Sequence, residues 1–389
     1  MRSAFPPEQS TSPFGVNVIG FVSARLGLGV AARASIAALV GSGVPVAVVD
    51  LQLPDGRSGA DTTWAHLNIT SLDHLPHPVT LMHANPPEAI GIWQRFPTWF
   101  AESFNCAVPF FELADLPDAW CPHLARYDAI LAASEHVAAA IRNTVPVPVR
   151  HYPIAADVRS LTAVARSSFG IPEKAFAFVA TWDTDSGLNR KNGVGLLRAF
   201  ANAFANRSDA VLVLKVNGIA EHPELNREIA AMPPGSVCIV DRYLAYGEVL
   251  GLYAACDAFV SLHRAEGLGL GLMEAMLLGK PVLATGWSGN MDFMDDSSAA
   301  LVRYSFAPVL DTQIAYAPGQ FARPQLWAEP DLIHAADLMR RLADGDRSYY
   351  DGLAAGARAK AQARHDFFVG GGAARVLQSI FEGLRKNSA

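Results

Sequence analysis

The chain of 389 residues has few cysteines, few charged residues and no long apolar run. Its four cysteines are Cys106, Cys121, Cys238 and Cys256, and they form neither a CxxC pair nor a disulfide framework. This excludes a disulfide-stapled secreted domain and gives no zinc-site spacing. No apolar stretch reaches the about 18 to 20 residues of a membrane-spanning helix, and no leader with a basic start and an apolar middle is found. We therefore expect a cytoplasmic protein.

The net charge and the hydropathy narrow the class of protein further. A formal net charge of −6 and a pI near 6.0 argue against nucleic acid as the main partner, because phosphate backbones bind basic surfaces. Hydrophobic residues make up 51% of the chain and the mean hydropathy is +0.18, which predicts large cores with buried parallel strands. Because one core rarely serves a chain of this length, the sequence predicts an α/β protein with two domains.

The most informative run is 263–276, in which two carboxylates lie eight positions apart around a glycine-rich turn. Residues 257–262 before it predict a short buried strand, and an apolar helix is expected after it. Without Cβ atoms, Gly267, Gly269 and Gly271 let the backbone approach a ligand, and the start of a helix suits a phosphate. Glu266 and Glu274 can only accept hydrogen bonds, which favours sugar hydroxyls. The alternative is a capped helix with two solvent-facing glutamates.

A second block pairs a predicted strand at 176–181 with a helix from about 193 to 206. Two adjacent cations, Arg190 and Lys191, precede that helix, where cations are disfavoured. A bound diphosphate would offset this cost, and the pair could neutralise a leaving nucleoside diphosphate without a metal. The alternative is a basic loop paired with Asp183 or Asp185. These two residues also form an Asp-x-Asp string, whose place in this loop argues against a manganese site.

The N-terminal half predicts a Rossmann-like unit, with a strand at 15–21, a turn containing Gly27 and Gly29, and a helix at about 30–40. The turn lacks a full GxGxxG, and Asp50 is the only candidate acid for a nicotinamide cofactor, so this segment gives little support to a dehydrogenase. Such a turn would let this unit close onto a bound diphosphate or sugar at Gly27 and Gly29, and Arg33 could attract an anionic group. A plain tight turn is the alternative.

Two further residues are expected at the carboxyl ends of N-terminal strands, where open α/β sheets bind ligands. His83 follows the predicted strand 79–82, and Glu112 follows the predicted strand 107–111. Either side chain could orient or deprotonate an acceptor hydroxyl, or be purely structural. Ser134 is predicted to cap a helix.

Residues 262–294 resemble the E-x7-E signature of glycosyltransferase family 4, including the runs 279–282 and 287–290. The resemblance implies the GT-B fold, in which two Rossmann-like domains have parallel sheets facing across a cleft, and a retaining reaction. It implies that Glu266 lies against the transferred sugar and that Glu274 holds the ribose. The donor diphosphate would meet the backbone at His263, Gly267, Leu268, Gly269 and Leu270. By position, Asn217, Arg242 and Tyr243 are candidates for the base pocket, with turns and helix caps as the alternative.

The predicted domains are 1–165 for the acceptor and 166–365 for the donor, with a closing helix at 366–389 that crosses back to the first. Residues 1–13 are expected to form a flexible tail and 306–330 an irregular insertion. The loop at His83 resembles a family loop near the acceptor. The segment at Glu112 resembles an aromatic-glutamate motif of bacterial polysaccharide assembly.

The sequence therefore predicts a metal-independent, retaining hexosyltransferase without a cofactor. It would use a GDP- or UDP-sugar, with GDP-mannose favoured, and a saccharide or lipid-linked acceptor in polysaccharide or glycoconjugate synthesis. Peripheral contact with the inner face of the cell membrane stays open, as does the oligomeric state. The alternatives are a GT-B sugar-nucleotide epimerase or phosphorylase, and a non-catalytic subunit that binds nucleotide sugars.

Overall fold

The structure is a computed structural model that describes residues 14–53, 57–183, 187–311, 316–317 and 319–388. The chain divides into two compact units. The N-terminal unit comprises Met1–Ala156, Gln320–Ala322 and Arg364–Ala389, and the C-terminal unit comprises Asp157–Gly319 and Arg323–Ala363. The tail expected at 1–13 lies outside the described residues.

The N-terminal unit is built on a six-stranded parallel sheet in the order β2-β1-β3-β4-β5-β6. Short apolar runs form these strands because a parallel sheet is buried on both faces. The strands are β1 Val16–Gly20, β2 Val46–Asp50, β3 Val79–His83, β4 Phe104–Ala107, β5 Ala129–Ala132 and β6 Val149–His151. The helices are α1 Gly27–Gly41, α2 Pro86–Arg95, α3 Pro97–Ala101, α4 Cys121–Leu124 and α5 Glu135–Arg142.

The C-terminal unit repeats this design with the order β12-β11-β10-β7-β8-β9, again parallel throughout. The strands are β7 Phe176–Asp183, β8 Ala210–Asn217, β9 Val237–Val240, β10 Ala258–Ser261, β11 Val282–Thr285 and β12 Ala300–Val302. The helices are α6 Leu188–Lys191, α7 Gly193–Phe204, α8 Pro223–Ala230, α9 Tyr246–Ala255, α10 Leu270–Leu277, α11 Leu332–Ala343 and α12 Arg347–Phe367. Alternate residues of β7 and β8, such as Phe178 and Leu214, join α7 and α11 in one apolar core.

Two segments differ from the expectations. The supposed irregular insertion at 306–330 contains most of an antiparallel hairpin, β13 Tyr304–Pro308 with β14 Leu326–Pro330, and Phe306 lies opposite Ala328. Residues 312–315 and 318 of that segment lie outside the description. The strand expected at 107–111 ends at Ala107, which leaves Glu112 in the following loop. Among the described residues, no helix combines the length and the apolarity that crossing a membrane requires.

The closing segment is also not one helix. α12 runs into a π-helical turn at Phe368–Gly372, and α13 follows at Ala373–Ser388. Gly371 has φ 92°, a left-handed conformation that interrupts the helix. At the end of α12, the Arg364 guanidinium donates to the carbonyl oxygens of Ile154 at 3.0 Å and Ala133 at 2.7 Å, which fixes this segment to the N-terminal unit.

Gly371→Ala is expected to destabilise the protein by about 1–2 kcal/mol, because an L-residue is strained at this φ. A Cβ at this position would also lie 2.9 Å from Arg375 Nη1. Gly370→Ala is the matched control, since its φ is −76° and no atom lies within 4 Å of the added Cβ. Denaturant midpoints measure both changes. Equal midpoints for the two variants would contradict the strain argument.

Candidate functional site

The candidate site of the C-terminal unit is centred on Glu266, in the loop that follows β10. Only 8% of Glu266 is exposed. Its carboxylate accepts a short hydrogen bond from Lys191 Nζ and lies 3.4 Å from Arg190 Nη1. Burial alone would raise the pKa of Glu266, but the positive charges of Lys191 and Arg190 outweigh it and lower the pKa to about 2. Glu266 is therefore ionised at neutral pH, and in this form its carboxylate can only accept hydrogen bonds.

The two cations of this cluster are not equivalent. Arg190 is 3% exposed, and its Nη1 donates to the Ala265 carbonyl at 2.8 Å, which fixes the loop beside Glu266. The Lys191 side chain keeps 19% of its surface exposed. Both residues end the short helix α6, where cations are favoured, and Glu266 supplies the negative charge that the sequence argument assigned to a ligand. Lys191 is thus the cation that can also meet an incoming anion.

Asn192 joins the corner between α6 and α7 to the loop after β10. It has φ 56°, and its Oδ1 accepts the Gly195 N–H to cap α7. Its Nδ2 donates to the Leu262 carbonyl at 2.9 Å, which ties Lys191 and Glu266 into one rigid substructure. Asn192 was not among the predicted site residues, although an asparagine directly before a helix is a capping signal.

His263 is completely buried and has a defined tautomer. Its Nε2 lies 3.0 Å from Asn290 Oδ1 and 3.3 Å from the Trp287 carbonyl, so this nitrogen carries the hydrogen. Its Nδ1 then accepts from the Ser261 hydroxyl at 2.9 Å. Burial lowers the pKa of His263, which keeps the ring neutral. His263 therefore positions the loop through hydrogen bonds, and both of its ring nitrogens are already engaged by protein groups.

The loop after β11 packs directly against the loop that carries Glu266. The Glu266 N–H donates to Ser288 Oγ at 2.8 Å, and the Gly289 N–H donates to the Glu266 carbonyl at 2.9 Å. A Cβ on Gly289 would lie 2.2 Å from the Gly267 carbonyl oxygen, so only glycine permits this backbone contact. Ser288 holds φ 79°, an unusual conformation for a side-chain-bearing residue.

Helix α10 begins directly after the loop that carries Glu266. Gly269 has φ 92° and precedes Leu270, so the amides of the first turn follow a left-handed glycine. Such amides carry positive partial charge and suit an anion. Glu274, one turn further on and 4% exposed, accepts from the Tyr246 hydroxyl of α9 at 2.8 Å. Leu268 is buried beside Gly267 and contributes packing to the turn.

The three residues predicted for a base pocket lie at the ends of β8 and β9. Asn217 is the last residue of β8, and its Oδ1 accepts from Lys215 Nζ at 2.7 Å. Arg242 stacks over the Phe169 ring at 5.6 Å, and Tyr243 is 49% exposed. Asp185, one of the two carboxylates of the basic-loop alternative, lies outside the described residues.

In the N-terminal unit, Gly27 and Gly29 lie within the first residues of α1 and not in a turn before it, and their environments differ. A Cβ on Gly29 would lie 2.6 Å from the carbonyl oxygens of both Phe21 and Ala24, whereas one on Gly27 would meet nothing within 4 Å. The side chain of Arg33, which was predicted to attract an anionic group, contacts protein groups in the structure. Its guanidinium donates to the Val22 carbonyl at 2.6 Å and pairs with Asp61 at 3.0 Å.

His83 is the last residue of β3 and is completely buried. Neither ring nitrogen has a hydrogen-bond partner among the described residues, and burial lowers its pKa to about 3. The ring is therefore neutral and a weak base, with two unmet hydrogen-bonding positions. Glu112 is half-buried, and its carbonyl accepts from His136 Nε2 at 2.8 Å. Ser134 caps α5 through the Val137 N–H, as predicted.

Residues 186–309 match the family model described as glycosyl transferases group 1. A search of curated proteins finds no match. Within the described ranges, no group of three His, Cys, Asp or Glu side chains is placed to hold a metal ion.

Solved structures share the architecture over almost the whole chain. Sucrose-phosphate synthase from Thermosynechococcus elongatus is 14% identical, with a TM-score of 0.64 over 96% of this chain and 99% of that one. HepE of Anabaena, in complex with UDP and glucose, is 15% identical, with a TM-score of 0.61 over 96% and 100%. A glycosyltransferase from Rickettsia africae is 12% identical, with a TM-score of 0.68 over 95% and 99%. The fold is GT-B.

This GT-B assignment confirms the predicted α/β class with two Rossmann-like units. The matched family segment contains Arg190, Lys191, Glu266 and Glu274, all within the C-terminal unit of the GT-B chain. His83 and Glu112 belong to the N-terminal unit, outside that match. The charged cluster of Arg190, Lys191 and Glu266 thus lies in the segment that matches the family model.

Proposed function

We propose that the protein is a retaining glycosyltransferase that moves a hexosyl group from a nucleoside diphosphate sugar to a hydroxyl of a saccharide or lipid-linked acceptor. The observation that carries this proposal is the ionised Glu266, held beside Lys191 and Arg190 just before the start of α10. The family match and the GT-B neighbours support the transferase class. HepE was solved with UDP-glucose, which supports a nucleotide-sugar donor.

The donor would lie along the carboxyl edge of the C-terminal sheet. The first-turn amides of α10 and the ammonium of Lys191 would bind the diphosphate and stabilise the charge that develops on the leaving oxygen. Glu266 would accept hydroxyl hydrogens of the sugar, and Glu274 those of the ribose. Retention follows if departure and attack occur on one face of the sugar. No metal or cofactor is required for these roles.

The acceptor side of the proposal rests on the N-terminal unit. His83 offers one donor and one acceptor nitrogen without a partner in the described part of the chain, which suits a ligand hydroxyl. With a pKa of about 3 before a ligand binds, His83 orients such a hydroxyl more readily than it deprotonates it. Glu112 stays our candidate for the proton acceptor. We keep mannose as the favoured sugar, bacterial surface polysaccharide as the favoured product and the inner membrane face as a place of contact.

Sugar nucleotides are expected to stabilise the protein and release nucleoside diphosphate when an acceptor is supplied. A saturating ligand at 100 times its Kd stabilises by about 2.7 kcal/mol, which thermal shift detects readily. GDP-mannose, UDP-glucose and UDP-N-acetylglucosamine would each be added to the wild type and to Glu274→Gln. The variant should bind the preferred donor about 10-fold to 100-fold more weakly. The exposed Glu173→Gln serves as the matched control.

Three outcomes would redirect the assignment. Absence of any nucleotide-dependent shift would overturn the donor site. Formation of sugar 1-phosphate from inorganic phosphate, or a changed sugar without acceptor, would favour the phosphorylase or epimerase alternative. Binding without turnover across a broad acceptor panel would favour a non-catalytic subunit. NMR of a formed glycoside reports the anomeric configuration, and inversion would contradict retention.

A further inference from the structure

Lys215 is a buried cation that forms no ion pair with a carboxylate of the described residues. It lies in β8 with 4% of its surface exposed, among valines and leucines. Its Nζ donates to Asn217 Oδ1 at 2.7 Å, the one hydrogen bond it makes to the described residues. A lysine ammonium has three donors, and lysines are rarely buried without a partner for their charge. The position therefore leaves donor capacity for another group.

The strand register places Lys215 on the sheet face that carries the candidate donor site. Lys215 pairs with Thr181 of β7, so the two side chains share one face. A Cβ built on Gly271 of α10 would lie 3.7 Å from Thr181 Cγ2 and 3.4 Å from the Tyr253 hydroxyl of α9. Neighbouring strands are about 4.8 Å apart, so Lys215 lies one strand beyond the residue that contacts α10.

The charged groups around Lys215 are only partly available to it. Asp183 at the end of β7 and Asp241 after β9 favour its positive form, and Arg242 opposes it. Asp241 already accepts the N–H groups of Gly218 at 2.9 Å and Ile219 at 3.3 Å. Burial dominates these charges and lowers the pKa of Lys215 to about 8. The ammonium form of Lys215 is thus less stable than that of an ordinary lysine, and an additional hydrogen-bond acceptor would stabilise it.

We propose that Lys215 donates a hydrogen bond to a carbonyl oxygen of the donor nucleobase, and so selects uracil or guanine over adenine. This inference rests on the proposed function. Along the carboxyl edge of the sheet, the strands follow in the order β10, β7, β8, β9. In the proposed site, the sugar lies at Glu266 after β10, and the diphosphate lies at Lys191 and the start of α10. The base then reaches the ends of β8 and β9. Uracil and guanine present carbonyl acceptors, whereas adenine presents an amino group where guanine has its oxygen.

Lys215→Met is the direct test, measured by calorimetric titration of UDP, GDP and ADP. Methionine matches the unbranched apolar stem of lysine and lacks the ammonium group with its charge and its three donors. The preferred one of UDP and GDP should bind about 10-fold to 100-fold more weakly, as expected for a lost charged hydrogen bond, and ADP should be unchanged. The exposed Lys174→Met is the matched control and should change neither.

The pH dependence of the wild-type affinity for nucleotides gives a second test. Carboxylates and guanidinium groups do not titrate between pH 7 and 8.5, whereas a lysine with a pKa of about 8 does. If the ammonium is the binding form, the affinity for UDP or GDP should fall about fourfold over this range, and that for ADP should not. In Lys215→Met the fall should disappear.

The outcomes separate this inference from the proposed function. Equal losses for ADP and the preferred nucleotide would place Lys215 at the phosphates, and unchanged binding would remove it from the site. Either result overturns the base-reading role while leaving a nucleotide-sugar enzyme in place. If Lys215→Met lost UDP or GDP binding selectively while the wild type transferred no sugar, Lys215 would be supported as a base-reading residue and the transferase would be overturned. A wild type that binds no nucleotide overturns both.

Discussion

Replacing Lys191 by methionine is expected to lower the turnover of the nucleotide sugar by about 10²–10³-fold, the effect of removing one preorganised donor from a developing negative charge. Lys191 is the more exposed cation beside Glu266, and Arg190 is already engaged with the Ala265 carbonyl. The loss should appear mainly in kcat, because the charge to be stabilised is largest in the transition state. Initial rates of nucleoside diphosphate release measure it.

A double variant separates this chemical role from a structural one. Lys191→Met alone leaves the buried Glu266 carboxylate with Arg190 as its remaining cation, and breaking a buried pair costs about 3–5 kcal/mol when nothing compensates. Adding Glu266→Gln removes the uncompensated charge and should restore much of the stability. Activity should stay low in the double variant. If activity returned together with stability, neither the charge of Lys191 nor the carboxylate of Glu266 would be needed for transfer, which would contradict both proposed roles.

Gly289→Ala is expected to reduce activity by about 100-fold or more. Its Cβ would lie 2.2 Å from the Gly267 carbonyl oxygen and 2.8 Å from the Leu268 nitrogen. Both atoms belong to the backbone, so no side-chain rotation relieves the clash and the loop that carries Glu266 must move. Displacing a catalytic group by about 1 Å commonly costs 10²-fold. Steady-state rates with the preferred donor give the result.

Gly286→Ala is the control for this change, three residues earlier along the chain. Its added Cβ would make ordinary contacts at 3.5 and 3.6 Å with Val302 and Leu301, and we expect nearly wild-type rates. Normal activity of Gly289→Ala would show that the backbone contact does not position Glu266. A crystal structure of the variant would show how far the loop moves.

Much of the candidate site was predictable because its signals are local. The E-x7-E spacing, with glycines between the carboxylates, places Glu266 before α10 and Glu274 one turn into it. The apolar runs also located most of the parallel strands, since strands buried on both faces read as continuous hydrophobic segments.

The remainder depends on contacts between distant parts of the chain. The Lys191–Glu266 pair spans 75 positions, whereas the partners predicted for the adjacent cations were a ligand diphosphate or the nearby Asp183 and Asp185. The backbone contact between Gly289 and Gly267 has no signature other than a glycine. Sequence reasoning also read the closing segment as one helix, although the glycine run at 370–372 marks where it breaks.

The return of Arg364–Ala389 to the N-terminal unit has a consequence for biosynthesis. Residues 1–156 leave the ribosome before the C-terminal unit is made, but the segment that completes their unit is synthesised after it. The N-terminal unit must therefore wait, incomplete, while the whole C-terminal unit is translated. Because Arg364 holds the carbonyls of Ala133 and Ile154, a nascent chain halted before this arginine should expose surfaces that chaperones bind.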